Sequence, residues 1–123
     1  MCKKIFGTVI HGLGKGKDFG FPTVNIKLID NSLQIAHGVY AVIVTVNSQN
    51  FQGMLYVGTR PTLNLHETTI EAHIFDFNED IYNHQISFQI LQKIRNEIHF
   101  KNIEELITQL HQDKEAIYNY FPH

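Results

Sequence analysis

The sequence contains a single cysteine, Cys2, so no disulfide can form within the chain. A lone thiol of this kind fits a reducing, cytoplasmic setting. Long apolar runs are missing as well: no segment approaches the roughly 20 residues that a membrane-spanning helix needs. The opening MCKKIFGTVIHG has two lysines, but Gly7 and His11 interrupt it before a signal-peptide core is reached. Nor is there an excess of basic charge. With 10 Lys and Arg against 12 Asp and Glu, the formal net charge is −2, which speaks against a nucleic-acid partner and leaves a small anionic ligand open. Eight histidines are present, yet no His or Cys cluster has metal-ligand spacing. HETTI at 66–70 begins like a zinc-protease helix, but Ile70 stands where the second histidine would have to be.

What is there reads mainly as strand. At 123 residues and 43% hydrophobic, residues 1–123 are expected to form one domain with a core of its own. The strand candidates are KKIFGTVI, FPTVNIKL, GVYAVIVTVN (38–47), FQGMLYVG, TTIEAHIFDF and HQISFQILQKIR, with SQN a short turn and TRPTLNLHE a loop. In TTIEAHIFDF, Ile70, Ala72 and Ile74 alternate with Glu71, His73 and Phe75, so the two sets face opposite sides of a sheet. Strands at such short intervals predict a small antiparallel barrel or sandwich. From Ile103 the period changes. Leu106, Ile107, Leu110, Ile117 and Phe121 continue the stripe of an amphipathic helix, with Asn102 as its N-cap and Glu105 as the capping-box partner. Asp113 and Lys114 interrupt the stripe, so the helix is expected to be buried over only part of its length.

The densest motif is HGLGKGKDFGFPTVN, residues 11–25. Glycines let backbone amides approach a ligand closely and lysines add positive charge, a combination suited to phosphate. It matches neither familiar phosphate loop. Gly12 and Gly16-Lys17 are too close for a Walker-type loop and Asp18 follows them, while Pro22 and a β-rich run stand where a dinucleotide fingerprint would open a helix. Spacing alone therefore leaves a plain hairpin loop as good a reading. Beyond Pro22, which stiffens the exit from the loop, Thr23 and Asn25 would point to the same face of a strand and offer two hard oxygen ligands suited to magnesium. On the residues alone, a polar pair that merely terminates a sheet is the more common case. PTLN at 61–64 repeats PTVN at 22–25, so on chemistry alone Thr62 and Asn64 compete for that part. Glu71, mid-strand on the polar face, could accept a proton if that face lines a pocket, or could simply be solvated.

Taken in order, GTVIHGLGKGKDFGFPTVNI, GVYAV, GTRPT, IEAHIFDF, DIYN and KIRNEIHFKNIEELITQLHQD resemble the successive motifs of the riboflavin kinase family, in particular the kinase module of bacterial riboflavin kinase/FAD synthetases. The likeness runs from Ile5 to Asp113 with little insertion. It implies a mostly β fold, a six-stranded antiparallel Greek-key barrel with a C-terminal α-helix. It also implies an enzyme that moves the γ-phosphate of ATP to the 5′-hydroxyl of riboflavin, giving FMN and ADP, with Mg2+ as the metal. By the same likeness Gly12, Gly14, Lys15, Gly16, Lys17 and Pro22 cradle the nucleotide phosphates. Thr23 and Asn25 hold metal and phosphate oxygens, Glu71 is the general base, and Arg95, Glu97 and Phe100 belong to the segment that closes over the flavin.

Some positions depart from the family pattern. Lys15 and Lys17 stand where arginine is frequent, Asn83 where the turn usually has glycine, and Val24 where a smaller residue is usual. The nucleotidyltransferase module of the bifunctional enzymes has no counterpart in these motifs, so FAD synthesis is not expected, and such a module is a possible partner. Two other readings are a flavin- or nucleotide-binding barrel without catalysis and an oligonucleotide-binding barrel, the second disfavoured by the charge.

Overall fold

The computed structural model describes residues 3–11, 20–62 and 65–121, with the backbone alone over 60–62 and 65–67. Its elements in chain order are β1 (Lys4–Ile10), β2 (Val24–Leu28), β3 (Gly38–Val46), β4 (Gln49–Thr62), β5 (Leu65–Ile74), β6 (Gln85–Arg95) and α1 (Ile103–Tyr120). The strands close into an antiparallel barrel in the order β1-β2-β5-β4-β3-β6. The run β3, β4, β5 is consecutive, and β2 returns beside β5, which is the Greek-key arrangement. No helix among the described residues is long and apolar enough to cross a membrane.

The almost unbroken apolar character of β3 follows from burial on both of its faces. Tyr40, Val42, Val44 and Val46 point into the barrel with Leu55, Val57 and Phe88. Val39, Ala41 and Ile43 point outward into a second cluster with Met54, Phe75, Ile117 and Phe121. That second cluster is the contact of α1 with the outside of β3, β4 and β6. β2 is open on its outer face at Lys27, whereas β5 is buried on both faces from Ala72 to Ile74.

Four boundaries differ from the sequence expectation. FPTVNIKL is strand only over Val24–Leu28, which leaves Thr23 ahead of it. TRPTLNLHE is mostly strand: β4 and β5 stay paired from Gly58↔Thr69 to Thr62↔Leu65. The turn expected at SQN is Asn47–Ser48, whose φ angles of 50° and 67° fit a two-residue hairpin, while Gln49 and Asn50 already pair with β3. β5 stops at Ile74 because Asp76, at φ 56°, turns the chain out of the ladder. Asn83 does take up positive φ, at 69°, in the turn before β6.

Asn102 caps the helix as its sequence predicts, while Glu105 bonds one residue ahead of the N-cap instead of closing the capping box on Asn102. The Asn102 side chain accepts a 2.8 Å hydrogen bond from the Glu105 amide, and Glu105 reaches back to the Lys101 amide at 3.4 Å. Ile103 is exposed, so the first turn stands clear of the barrel. Asp113, however, is no break in the buried face. It lies on that face, 2% exposed, because Arg95 supplies a partner for its charge.

Candidate functional site

One row of residues crosses the barrel through five strands. Asn25 pairs with Glu71, Glu71 with Tyr56, Tyr56 with Val39, and Val39 with Arg95. Val24 and Ile26 pack toward the core on β2, and Ile70 and Ala72 do so on β5. Alternation therefore turns Asn25 and Glu71 to the outer face. Thr23, just ahead of β2, donates a 3.1 Å hydrogen bond from Oγ1 to Glu71 Oε1. Thr23, Asn25 and Glu71 thus come together, as the sequence reading required.

The ladder between β2 and β5 has only two rungs, Val24↔Ala72 and Asn25↔Glu71, after which the strands part. A cavity of about 620 Å³ occupies the opening, lined by Asn25, Lys27, Ile70 and Thr69, with His11 and His37 at its sides. On the other side of the rungs lies a cavity of about 370 Å³, lined by Pro22, Thr23, Ala72, Phe77, Asn78 and Asp80. Thr23 borders one cavity and Asn25 the other. Glu71 lines neither cavity; its side chain is on the outer face, bonded to Thr23 and paired in register with Asn25.

Along the row, the Tyr56 hydroxyl donates to Glu97 Oε2 at 2.9 Å, and the Thr59 amide donates to the same oxygen at 3.1 Å. His37 Nδ1 lies 3.3 Å from Glu97 Oε1. Burial works to raise the Glu97 pKa, but the hydrogen bonds from Thr59, Tyr56 and His37 together hold it below the usual value. Burial also pushes the Tyr56 phenol up, and the Glu97 and Glu71 carboxylates add to the rise. Both side chains pass over Gly58. A Cβ there would collide with the Tyr56 hydroxyl and come within 2.6 Å of Glu97 Oε2, so only glycine permits the contact.

Arg95 ends the row. Its Nε and Nη2 donate to the two carboxylate oxygens of Asp113, each at 2.8 Å, and Nη1 donates to the Asn96 carbonyl at 3.0 Å. Gln109 adds a 2.9 Å bond to Asp113. The guanidinium also lies 5.9 Å from the centre of the Phe100 ring. Arg95 therefore fastens the segment carrying Glu97 and Phe100 to α1. Gly12, Gly14, Lys15, Gly16, Lys17 and Asn64 lie outside the described residues, as does the Thr62 side chain.

Thr23 and Asn25 offer a hydroxyl and an amide oxygen beside a carboxylate. Among the described residues no group of three or more His, Cys, Asp or Glu could hold a metal. This donor set suits a hard cation that keeps most of its waters and takes further oxygens from phosphate, which is magnesium's habit.

Sequence reading passed over Tyr56 and His37, because both depend on pairings between distant segments. It placed His73 beside Glu71 but gave it no task. His73 is 6% exposed. Burial, with the nearby Lys114 charge, pushes its pKa below the ordinary 6.5, against the pull of the hydrogen bond to Pro22. As pH falls through that value the unfolded chain takes up a proton at His73 and the folded chain refuses it, so stability falls over the window below it. With Lys114 and His111 of α1 facing the same cluster, the wild type is expected to lose stability faster than His73→Leu on going from about pH 7 to 5.5. The difference is at most about 1.4 kcal/mol per pH unit. Denaturant unfolding of the two proteins across that range checks it, and equal slopes would contradict it.

Comparison with known proteins gives three findings. The sequence model of the riboflavin kinase (flavokinase) family matches residues 2–121. The bifunctional riboflavin kinase/FMN adenylyltransferase of Haemophilus influenzae is 40% identical over 119 residues, covering 96% of this chain. The chain spans 38% of that relative's length. Among solved structures, a macrolide-efflux protein from Streptococcus pneumoniae superposes with a TM-score of 0.86 at 36% identity, over 94% of this chain and 38% of the other. Riboflavin kinase from Trypanosoma brucei superposes with a TM-score of 0.65, over 95% of this chain and 78% of the other, and at 21% identity that is a likeness of fold.

Proposed function

The chain belongs to the riboflavin kinase family, and from that premise we propose that it phosphorylates riboflavin, with ATP as donor and FMN and ADP as products. The observation that carries the reading is the Thr23–Glu71 hydrogen bond beside the Asn25↔Glu71 rung, which sets a carboxylate next to residues that border two cavities. In the reaction the ribityl 5′-oxygen forms a bond to the γ-phosphorus while the bond from that phosphorus to the bridging oxygen of ADP breaks. Glu71 takes the hydroxyl proton as this happens. A primary alcohol is a poor nucleophile at neutral pH, and a positioned base typically contributes about 10²–10⁴-fold. A strand aims such a base better than a loop would.

Magnesium, when bound, neutralises charge on the transferring phosphoryl group, and Thr23 and Asn25 are the residues that would hold it. Gly12, Gly14, Lys15, Gly16 and Lys17, with Pro22 behind them, take the nucleotide phosphates on the strength of the family pattern. Glu97 and Phe100 meet the flavin, on a segment that Arg95 holds in place. The setting is the cytoplasm, without nucleic acid or membrane as partner. A nucleotidyltransferase module is the one macromolecular partner the family suggests.

Incubating the protein with riboflavin, ATP and magnesium and separating the flavins by chromatography tests the proposal. FMN is expected only when all three are present. Riboflavin binding without FMN would leave a binding barrel in place of a kinase. Thr23→Ala is expected to raise the KM for magnesium-ATP by about 10-fold or more. An unchanged KM would move the metal to Thr62 and Asn64.

A further inference from the structure

His73 stands two residues after Glu71 on β5 and faces the same side of the sheet. Its Nδ1 lies 2.8 Å from the Pro22 carbonyl oxygen. A carbonyl only accepts, so Nδ1 carries the proton and the ring donates. The other nitrogen, Nε2, is buried with no partner, alone in this among the side-chain atoms of the described residues. Phe21 and Phe75 pack edge-on against the ring, with centroids 5.4 Å and 5.5 Å away. From α1, Lys114 lies over both phenylalanines and His111 meets Phe21. An apolar side chain would fill this space without burying an unpaired nitrogen. What imidazole adds is the single bond to Pro22.

That bond falls at a decisive place in the chain. The proline ring fixes φ of residue 22, so ψ is the remaining angle that decides where Thr23 goes. The carbonyl oxygen and the Thr23 nitrogen share one peptide plane, and holding the oxygen therefore sets ψ. The first rung of the β2–β5 ladder is Val24↔Ala72, beyond the residues in question. We infer that His73 is the positioning residue of the site: through the Pro22 carbonyl it sets the Thr23 hydroxyl against Glu71. The inference rests on the roles proposed above for Thr23 and Glu71. It adds a link from α1, since the cluster that clamps the ring is built partly by the helix.

Three variants test it. His73→Asn places an amide N–H where Nδ1 stands and keeps the bond, while His73→Leu and His73→Phe keep apolar packing and lose it. kcat and the KM values are measured with melting temperature for each, so that a poorly packed variant is recognised and the other apolar one relied on. Misplacement of a reacting group by about 1 Å can cost about 10²-fold. His73→Leu and His73→Phe are thus expected to lose roughly 10- to 100-fold in kcat with little change in the KM for riboflavin, and His73→Asn to recover most of it. Wild-type turnover in a folded apolar variant would overturn the inference, and so would an Asn variant as impaired as the Leu variant. If the wild type itself forms no FMN, the proposed function fails and the positioning claim is judged by NMR. The Pro22 carbonyl carbon and Thr23 amide signals should then shift in His73→Leu and return in His73→Asn, and unmoved signals would overturn it.

Discussion

Glu71→Gln is expected to lower kcat for FMN formation by about 10²–10⁴-fold, equivalent to about 3–5 kcal/mol of barrier. The substitution is nearly isosteric and its amide oxygen can still accept the Thr23 hydroxyl, so the rung between β2 and β5 should survive. What is lost is the ability to take a proton at neutral pH. The neighbourhood of Glu71 amplifies the contrast, because Tyr56, its register partner, is held protonated by burial and by the two carboxylates and offers no substitute base. Riboflavin affinity, read from the quenching of flavin fluorescence, should stay close to wild type. Turnover within a few-fold of wild type would remove Glu71 from the chemistry while leaving its place in the structure intact.

The second large effect is on stability. Asp113→Asn should leave the mostly buried Arg95 guanidinium without its counter-charge. Breaking a fully buried pair typically costs about 3–5 kcal/mol, and a loss toward the lower end of that range is expected. For a chain of this size that corresponds to a fall of roughly 10–20 °C in melting temperature. The joint replacement Arg95→Met with Asp113→Leu fills the same volume without charge and should recover most of the loss. Function should not recover with it. Arg95 also holds the Asn96 carbonyl and lies against Phe100, so the double variant is expected to melt near wild type and bind riboflavin less tightly. An Asp113→Asn protein that melts like wild type would show that the pair contributes little. A double variant with wild-type riboflavin affinity would detach Arg95 from the flavin segment.

Much of this architecture could be read from local pattern. The alternation at Ile70, Ala72 and Ile74 put Glu71 on the outer face of its strand, and the Asn102 and Glu105 pair marked the start of α1. What escaped was decided between distant segments. Asp113 looked like an interruption of an apolar stripe because its partner, Arg95, lies on another element. Strand pairing from Thr59 to Thr62 was hidden in a polar stretch that reads as loop. Tyr56 sat in a segment that looked merely apolar, and its place beside Glu71 and Glu97 depends on the β4–β5 register and on the bare surface of Gly58. For the metal, sequence chemistry left Thr23 and Asn25 level with Thr62 and Asn64. The family pattern picks the first pair, and the side chains of the second lie outside the described residues.

The measurement that tests the account most directly is a crystal structure of the chain with riboflavin, ADP and magnesium bound together. The ribityl 5′-oxygen is expected within about 2.6–3.2 Å of a Glu71 carboxylate oxygen, with magnesium held by Thr23 and Asn25. A 5′-oxygen remote from Glu71, or a metal carried by Thr62 and Asn64, would contradict it.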